Sequence, residues 1–467
     1  MALLVGWGVL VWNLLGGSVM VWAAGLYPLG EKSEISRLSD EPKPFLTPPD
    51  LPPRPRLIWE FGDPFLDTGK LNAGFDLPTG AVWQPRLWLF ATYRSAVQTF
   101  DNGVQQGISE WVNRLDLFAN LQLTGTEKLV LGIRPFDRNR PDRFTGYAFE
   151  PDSQKEFHED LNGDIRTFFF EGDLGSLFPN LDREGATALD FGFSVGRQPL
   201  LFQEGIMIND TVDSIGLVRN NIRLFGLSNL RATFVYGWNA LGRGNALEIE
   251  EANMFGLFNS ADLRFSTVNL DTIFVHDPRP RGQNSLNIGL SATQRIGFLN
   301  TTFRVNSSIA ENGDSPAAGD GTLVSAEVSW TPETSDDIFY INPFVAIDNF
   351  TQAGREPVVG GPLGTLGILF ASPSIGSFSS EINSFAKEVA GVAIGYQAFW
   401  DNHHRNLVLE IAGRKDTSGK GFDDFAVGFQ LQQRLAQRIQ LQIDGHYAVQ
   451  ENRDNGFGAR TEILIQF

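Results

Sequence analysis

Arginine is the residue most able to do chemistry in this chain, and two stretches place it against the local pattern. In "LDFGFSVGRQPLLFQEGIMIND", Leu189, Phe191, Phe193 and Val195 form an apolar row whose strict continuation is Arg197. In "DSIGLVRNNIRLF" a similar row slips between Arg219 and Ile222. A guanidinium is planar, permanently charged, and able to hold a carboxylate or phosphate by two parallel hydrogen bonds. A bulge near Gly196 would turn Arg197 inward, because bulges re-aim side chains. Arg197, Gln198, Arg219 and Arg223 are therefore expected to form a constriction. The alternatives are an ordinary bulge or an Arg197 at headgroup level. Arg114, Arg134, Arg231, Arg264, Arg304 and Arg460 interrupt apolar residues at a spacing of two and read as lining of the same path. Acids such as Asp116, Glu327, Asp444 and Glu462 share those rows, so each arginine could instead brace the wall through an ion pair.

Other chemistries find little material. There are no cysteines, which removes disulfides and thiolates together. Of five histidines, His403 and His404 are expected in a short turn, and His158 precedes Asp160, Asn162 and Asp164 without the full spacing of a calcium loop. His446 has no Gly-x-Ser-x-Gly elbow to serve. The expectation is a protein with no enzymatic activity, no metal and no cofactor. The net charge of -18 argues against a nucleic-acid partner.

The elements that must position these arginines alternate with period two. "FLNTTFRVNSSI" sets Leu299, Thr301, Phe303, Val305 and Ile309 against Asn300, Thr302, Arg304, Asn306 and Ser308. "ARTEILIQF" sets Phe467, Ile465 and Ile463 against Leu464, Glu462 and Arg460. Short connections such as 124–128, 226–229, 295–298 and 435–438 interchange with long ones such as 137–164, 239–252, 311–322 and 351–386. That asymmetry, with apolar residues on one face and polar ones on the other, predicts an all-β, transmembrane antiparallel β-barrel over residues 81–467. About 18 strands are expected, with about 16 as the alternative, and a barrel of that size cannot fill its interior with wall side chains alone. The eighth strand centre is placed near Leu263. Residues 1–24 read as a signal peptide lacking a basic start, and 25–80 as a proline-rich periplasmic extension.

An export signal, an alternation of this length and a C-terminal strand ending in phenylalanine together resemble the Gram-negative outer-membrane porins. The resemblance implies a bacterial outer-membrane location among lipid and lipopolysaccharide. It also implies recognition of Ile463, Ile465 and Phe467 by the barrel assembly machinery. Gly196, Arg197 and Gln198 look like the Gly-Arg-Gln segment of the alginate-export porins, which would imply an arginine-rich pore for acidic polysaccharide. The function expected is a channel for diffusion of small or anionic solutes, including acidic saccharides. The alternative is a scaffold barrel that encloses or docks a partner protein through the proline-rich arm or the apolar loop 351–386.

Overall fold

In the computed structural model the protein is described over residues 54–467, apart from short stretches within loops: 68–69, 104–106, 141–142, 182–188, 224–225, 245–247, 280–282, 313–314, 316, 334 and 452. Residues 1–53, which hold the expected signal peptide and the first part of the expected extension, lie outside the described residues. Eighteen strands form the wall: β1 (Arg86–Asp101), β2 (Ile108–Gln122), β3 (Lys128–Ile133), β4 (Ile165–Asp173), β5 (Gly192–Phe202), β6 (Ile208–Ile222), β7 (Asn229–Asn239), β8 (Asn253–Asp262) and β9 (Ser266–His276). The second half comprises β10 (Ser285–Ile296), β11 (Leu299–Ala310), β12 (Gly321–Trp330), β13 (Ile338–Phe350), β14 (Ala386–Trp400), β15 (Arg405–Asp416), β16 (Asp424–Ala436), β17 (Ile439–Gln450) and β18 (Gly456–Gln466). Each pairs antiparallel with the next, and β18 closes on β1 from Phe457 opposite Asp101 to Gln466 opposite Thr92. Closure leaves no open edge in hydrocarbon, where an unpaired backbone group has no water to turn to. The sixteen-strand alternative is excluded. Leu263 is not a strand centre: it sits in the tight turn after β8, its amide bonded to the Ser266 carbonyl at 2.8 Å.

Alternation decides which side chains leave the wall. On β16, Phe425, Val427 and Phe429 are exposed outward while Ala426 is fully buried inside. On β18, Phe457 and Ile463 point outward and Arg460 and Glu462 inward. The outer face thus carries a continuous apolar band, including Phe234, Leu257, Leu270, Phe303, Ile341, Ile394 and Leu409, far larger than a monomer keeps in water. Aromatic clusters flank it. Trp330, Phe339 and Tyr396 stack at the end where β12 turns into β13, and Tyr236 and Trp238 group toward the other end.

Among the described residues, the N-terminal segment runs along the rim of the barrel. Trp59–Phe61 pairs antiparallel with Leu87–Leu89, the part of β1 that reaches beyond β18. Ala91 fills the step between, exchanging backbone hydrogen bonds with Phe467 at 2.9 and 3.4 Å. The Arg438 guanidinium donates to the Arg56 carbonyl and holds the arm against the same rim.

The interior is less polar than the sequence suggests. Ala393, Ala412, Ala426 and Ala448 stand directly opposite one another across β14, β15, β16 and β17. They make a smooth shelf on the inner wall. Leu363, Leu366, Leu369 and Phe370, from the loop between β13 and β14, bury completely in the same cluster. Each such burial contributes about 1.5–3 kcal/mol toward holding the segment against the wall. The apolar character of loop 351–386 therefore marks an inward packing surface, not an exposed dock for a partner protein. Ala426→Leu should overpack the shelf at a cost of about 1–3 kcal/mol. The loop should yield before the wall does, seen as faster proteolysis within 363–382 on an otherwise intact barrel.

Candidate solute path: an inserted loop facing an arginine ladder

Residues 351–385 cross the barrel interior and are tied to the wall at four places. Gly354–Arg355 adds a short parallel strand to Ile208–Asn209, beyond the end of β7. Next, the Asn342 amide donates to the Leu366 carbonyl at 2.7 Å, and Glu410 of β15 accepts from the Ile368 and Leu369 amides at 3.0 and 2.9 Å and from the Tyr340 hydroxyl. These bonds satisfy a carboxylate that would otherwise be buried unpaired. The third tie lies on β1 and β2. Arg94 and Arg114 donate to the Pro373 and Ser374 carbonyls at 3.1 and 3.0 Å. Gln98 donates to the Ile375 carbonyl at 3.1 Å, and the Ser377 amide donates to Glu110 at 2.7 Å. Gly376 has φ of +60°, and a Cβ there would lie 2.4 Å from a Glu110 oxygen, so only glycine permits this approach. Last, Glu381 meets His446 Nδ1 at 3.1 Å. Burial pushes the Glu381 carboxyl up from its ordinary value, against the pull of His446.

The loop faces a ladder of arginines on four adjacent strands. Arg460 of β18 lies between Asp444 at 2.7 Å and Glu462 at 2.9 Å and is only 4% exposed. Arg94 of β1 grips Glu462 in a bidentate pair at 2.5 and 2.9 Å. Arg114 of β2 holds Asp116 at 2.8 Å, and Arg134, beyond the end of β3, reaches the other Asp116 oxygen at 2.8 Å. Arg94 and Arg114 stand directly opposite in the register, a like-charge pair that is tolerable because acids flank both. Asp137 adds a second acid to Arg134 at 3.5 Å, so four cations face four carboxylates and the strip is balanced in charge.

Two chambers lie on either side of loop residues 372–381. The one toward the extracellular loops, about 330 Å³, is lined by Arg355, Gln450 and Arg453. The deeper one, about 200 Å³, reaches Arg94, Gln430, Gln442, Asp444 and Arg460. Ser372, Phe378 and Glu381 border both. Phe378 packs on Phe100 at 4.9 Å and edge-on against His446 at 5.9 Å. We refer to this cluster, shared by the walls of both chambers, as the septum.

Of the expected path residues, Arg114, Arg134 and Arg460 come together in the ladder. Arg304 also faces inward, 2% exposed, but on β11, where it pairs with Glu204 at 2.7 Å and with Glu327. Arg231 is on the inner row near the start of β7 and exposed, and Arg264 lies in the turn after β8, over the Phe265 ring. The expected constriction is not assembled. The pairing runs unbroken through Gly196, so Arg197 stays in the outward row of Val195 and Pro199. There it holds Asp213, also outward, in a bidentate pair at 2.8 and 2.9 Å. Arg219 lies over the Phe191 ring, and Arg223 is exposed beyond the end of β6. Gln198 does point inward, donating to Ser214 Oγ at 2.9 Å. Near His158, Asp160 is held by Arg138 and Arg143 and Asp164 by Arg138, so those carboxylates are occupied by guanidinium groups.

No family model matches the chain, and no curated protein matches it. Solved structures do. A BenF-like porin from Pseudomonas fluorescens Pf-5 superposes with a TM-score of 0.55 at 10% identity, covering 82% of this chain and 98% of that one. The fold is that of an outer-membrane porin. Acinetobacter baumannii OccAB2 gives a TM-score of 0.54 at 11% identity, with the same coverage of 82% and 98%. Pseudomonas aeruginosa OpdK with vanillate gives 0.52 at 12%, covering 81% and 98%. The alginate-export resemblance gains nothing from these comparisons, and the outward placement of Arg197 removes it from the lumen.

Proposed function

We propose that the protein is a passive channel of the bacterial outer membrane through which small solutes diffuse. The observation that carries this reading is the pair of chambers separated by an inserted loop inside a closed barrel whose outer band suits lipid. A solute entering from the loop side would meet Arg355 and Arg453, pass the Phe378–Glu381 septum, and descend along Arg94 and Arg460. Arg94 and Arg460 border the deeper chamber and offer guanidinium edges to a small anion. Vanillate, seen with the similar OpdK, is of a size to be tried. We place outer-membrane lipid and lipopolysaccharide around the band. We also propose that Ile463, Ile465 and Phe467 are read by the barrel assembly machinery, since they close the seam with β1.

Reconstitution in a planar bilayer tests the channel. Discrete current steps are expected, with a reversal potential in a salt gradient that reports chloride preference. Purified, folded protein that inserts without ever conducting would sink the reading.

A further inference from the structure

The described part of the N-terminal arm carries several large apolar side chains that are exposed, Trp59, Phe61 and Leu66 among them. Apolar exposure of this kind marks a surface that meets something other than water. Register shows which way the short strand Trp59–Phe61 faces. Trp59 stands opposite Leu89 and Phe61 opposite Leu87, and residues directly opposite in an antiparallel pair share a face. The pairing of β1 with β2 runs without a break from Arg86 to Phe100, so Leu87 and Leu89 belong to the row of Val97. That row is the outward one: Arg94 and Gln98, of the other row, reach the inserted loop. Glu60, between the two rings, is turned inward opposite Trp88 and held by Arg54 at 2.7 Å. The three residues obey the rule of the wall itself, apolar out and charged in. Trp59 is 48% exposed and Phe61 61%, with their rings stacked at 6.1 Å.

Depth follows from the neighbours. Leu87 pairs with Leu121 of β2, and Leu121 with Leu129 of β3, so the outward apolar row reaches this level on three adjacent strands. On the other side of β1 it would stop at Ile465 and Phe467, because β18 is shorter. Trp59 and Phe61 stand in the missing position and carry the band across the step. Arg56 is exposed just before them, and Arg438 approaches it from the turn between β16 and β17. Aromatic rings flanked by cations are the side chains that settle at a membrane–water interface, the cations toward anionic headgroups.

We propose that Trp59 and Phe61 anchor the arm in the inner leaflet of the outer membrane, seated among phospholipid headgroups and the first part of the acyl chains. The evidence for lipid as the occupant is continuity with the lipid-facing band on β1–β3. The anchor needs only the outer-membrane location, and its failure would leave the channel reading untouched.

Because the chain has no cysteine, a single nitroxide can be placed at a chosen position. Full-length protein carrying Trp59→Cys, Phe61→Cys, Val97→Cys or Ser153→Cys is spin-labelled and set in nanodiscs of phosphatidylethanolamine and phosphatidylglycerol. Val97 reports the outward band, and Ser153 an exposed extracellular loop. Oxygen concentrates in lipid and a nickel chelate in water, so the ratio of their collision rates reports what surrounds each label. Labels at 59 and 61 should give a ratio at least ~5-fold above that at 153, approaching that at 97. A second variant removes both rings without a label. Trp59→Ser with Phe61→Ser keeps the backbone pairing to β1, and trypsin should then cut after Arg56 about tenfold faster in the same nanodiscs. Labels at 59 and 61 that match the one at 153, or cleavage unchanged in the serine variant, overturn the anchor. The aromatic face would then stand free in the periplasm, open to a protein partner.

Discussion

Replacing Gly367–Ser380 by a flexible glycine-serine linker of about eight residues should raise single-channel conductance by ~3-fold or more. An eighteen-stranded wall encloses far more space than its own side chains fill, and here the loop takes up that space. The excised segment carries Leu369 and Phe370 from the alanine shelf, Phe378 from the septum, and the carbonyls that Arg94 and Arg114 hold. Its removal merges the two chambers. The barrel should survive, because the interstrand ladder is untouched; folded and heat-denatured forms should still separate on a gel. Unchanged conductance in such a variant would mean that the loop does not limit flow, and the septum assignment would fall with it.

The second large effect is expected from the double variant Arg94→Gln and Arg460→Gln. The ladder then keeps two cations and four carboxylates, so its net charge passes from zero to two negative. In a potassium chloride gradient the anion-to-cation permeability ratio should fall by ~3-fold or more, and the reversal potential should move toward potassium. Glutamine retains donors for Glu462 and Asp444, which softens the loss. Removing one side of a buried ion pair still costs about 3–5 kcal/mol. A parallel Arg304→Gln variant controls for that loss: it removes an equally buried arginine from its ion pairs on β11, away from both chambers, and should leave selectivity unchanged. A shift of the same size in both variants would mean that selectivity reflects general damage.

Much of the wall was legible in the residues. Period-two alternation is a strong signal when it recurs eighteen times, and the short and long connections mark the two ends of the barrel. Leu263 failed as a centre because it is apolar and follows "NSAD", a polar stretch that belongs to the end of β8 rather than to a turn. The inward insertion of the loop was harder to read. Its trace was present as Ala393, Ala412, Ala426 and Ala448, small residues at inward positions of four successive strands. Each alone looks like ordinary wall, and only the register shows that they are neighbours. The arginines divide along the same line. Arg114, Arg134 and Arg460 were found because strict alternation places them inside. Arg197 was misplaced because the alternation was assumed to break at Gly196. The strand instead accepts a charge on its outer row, since Asp213 is there to meet it and Asn239 adds a hydrogen bond at 2.8 Å.

The unequal lengths of β1 and β18 matter for more than closure. Beyond Phe467, Leu87–Leu89 of β1 would present free amides and carbonyls at the barrel rim, a short template on which a strand from a second molecule could grow. Trp59–Phe61 occupies that template with the protein's own chain. That stretch of edge is thereby closed to strand addition by a second copy.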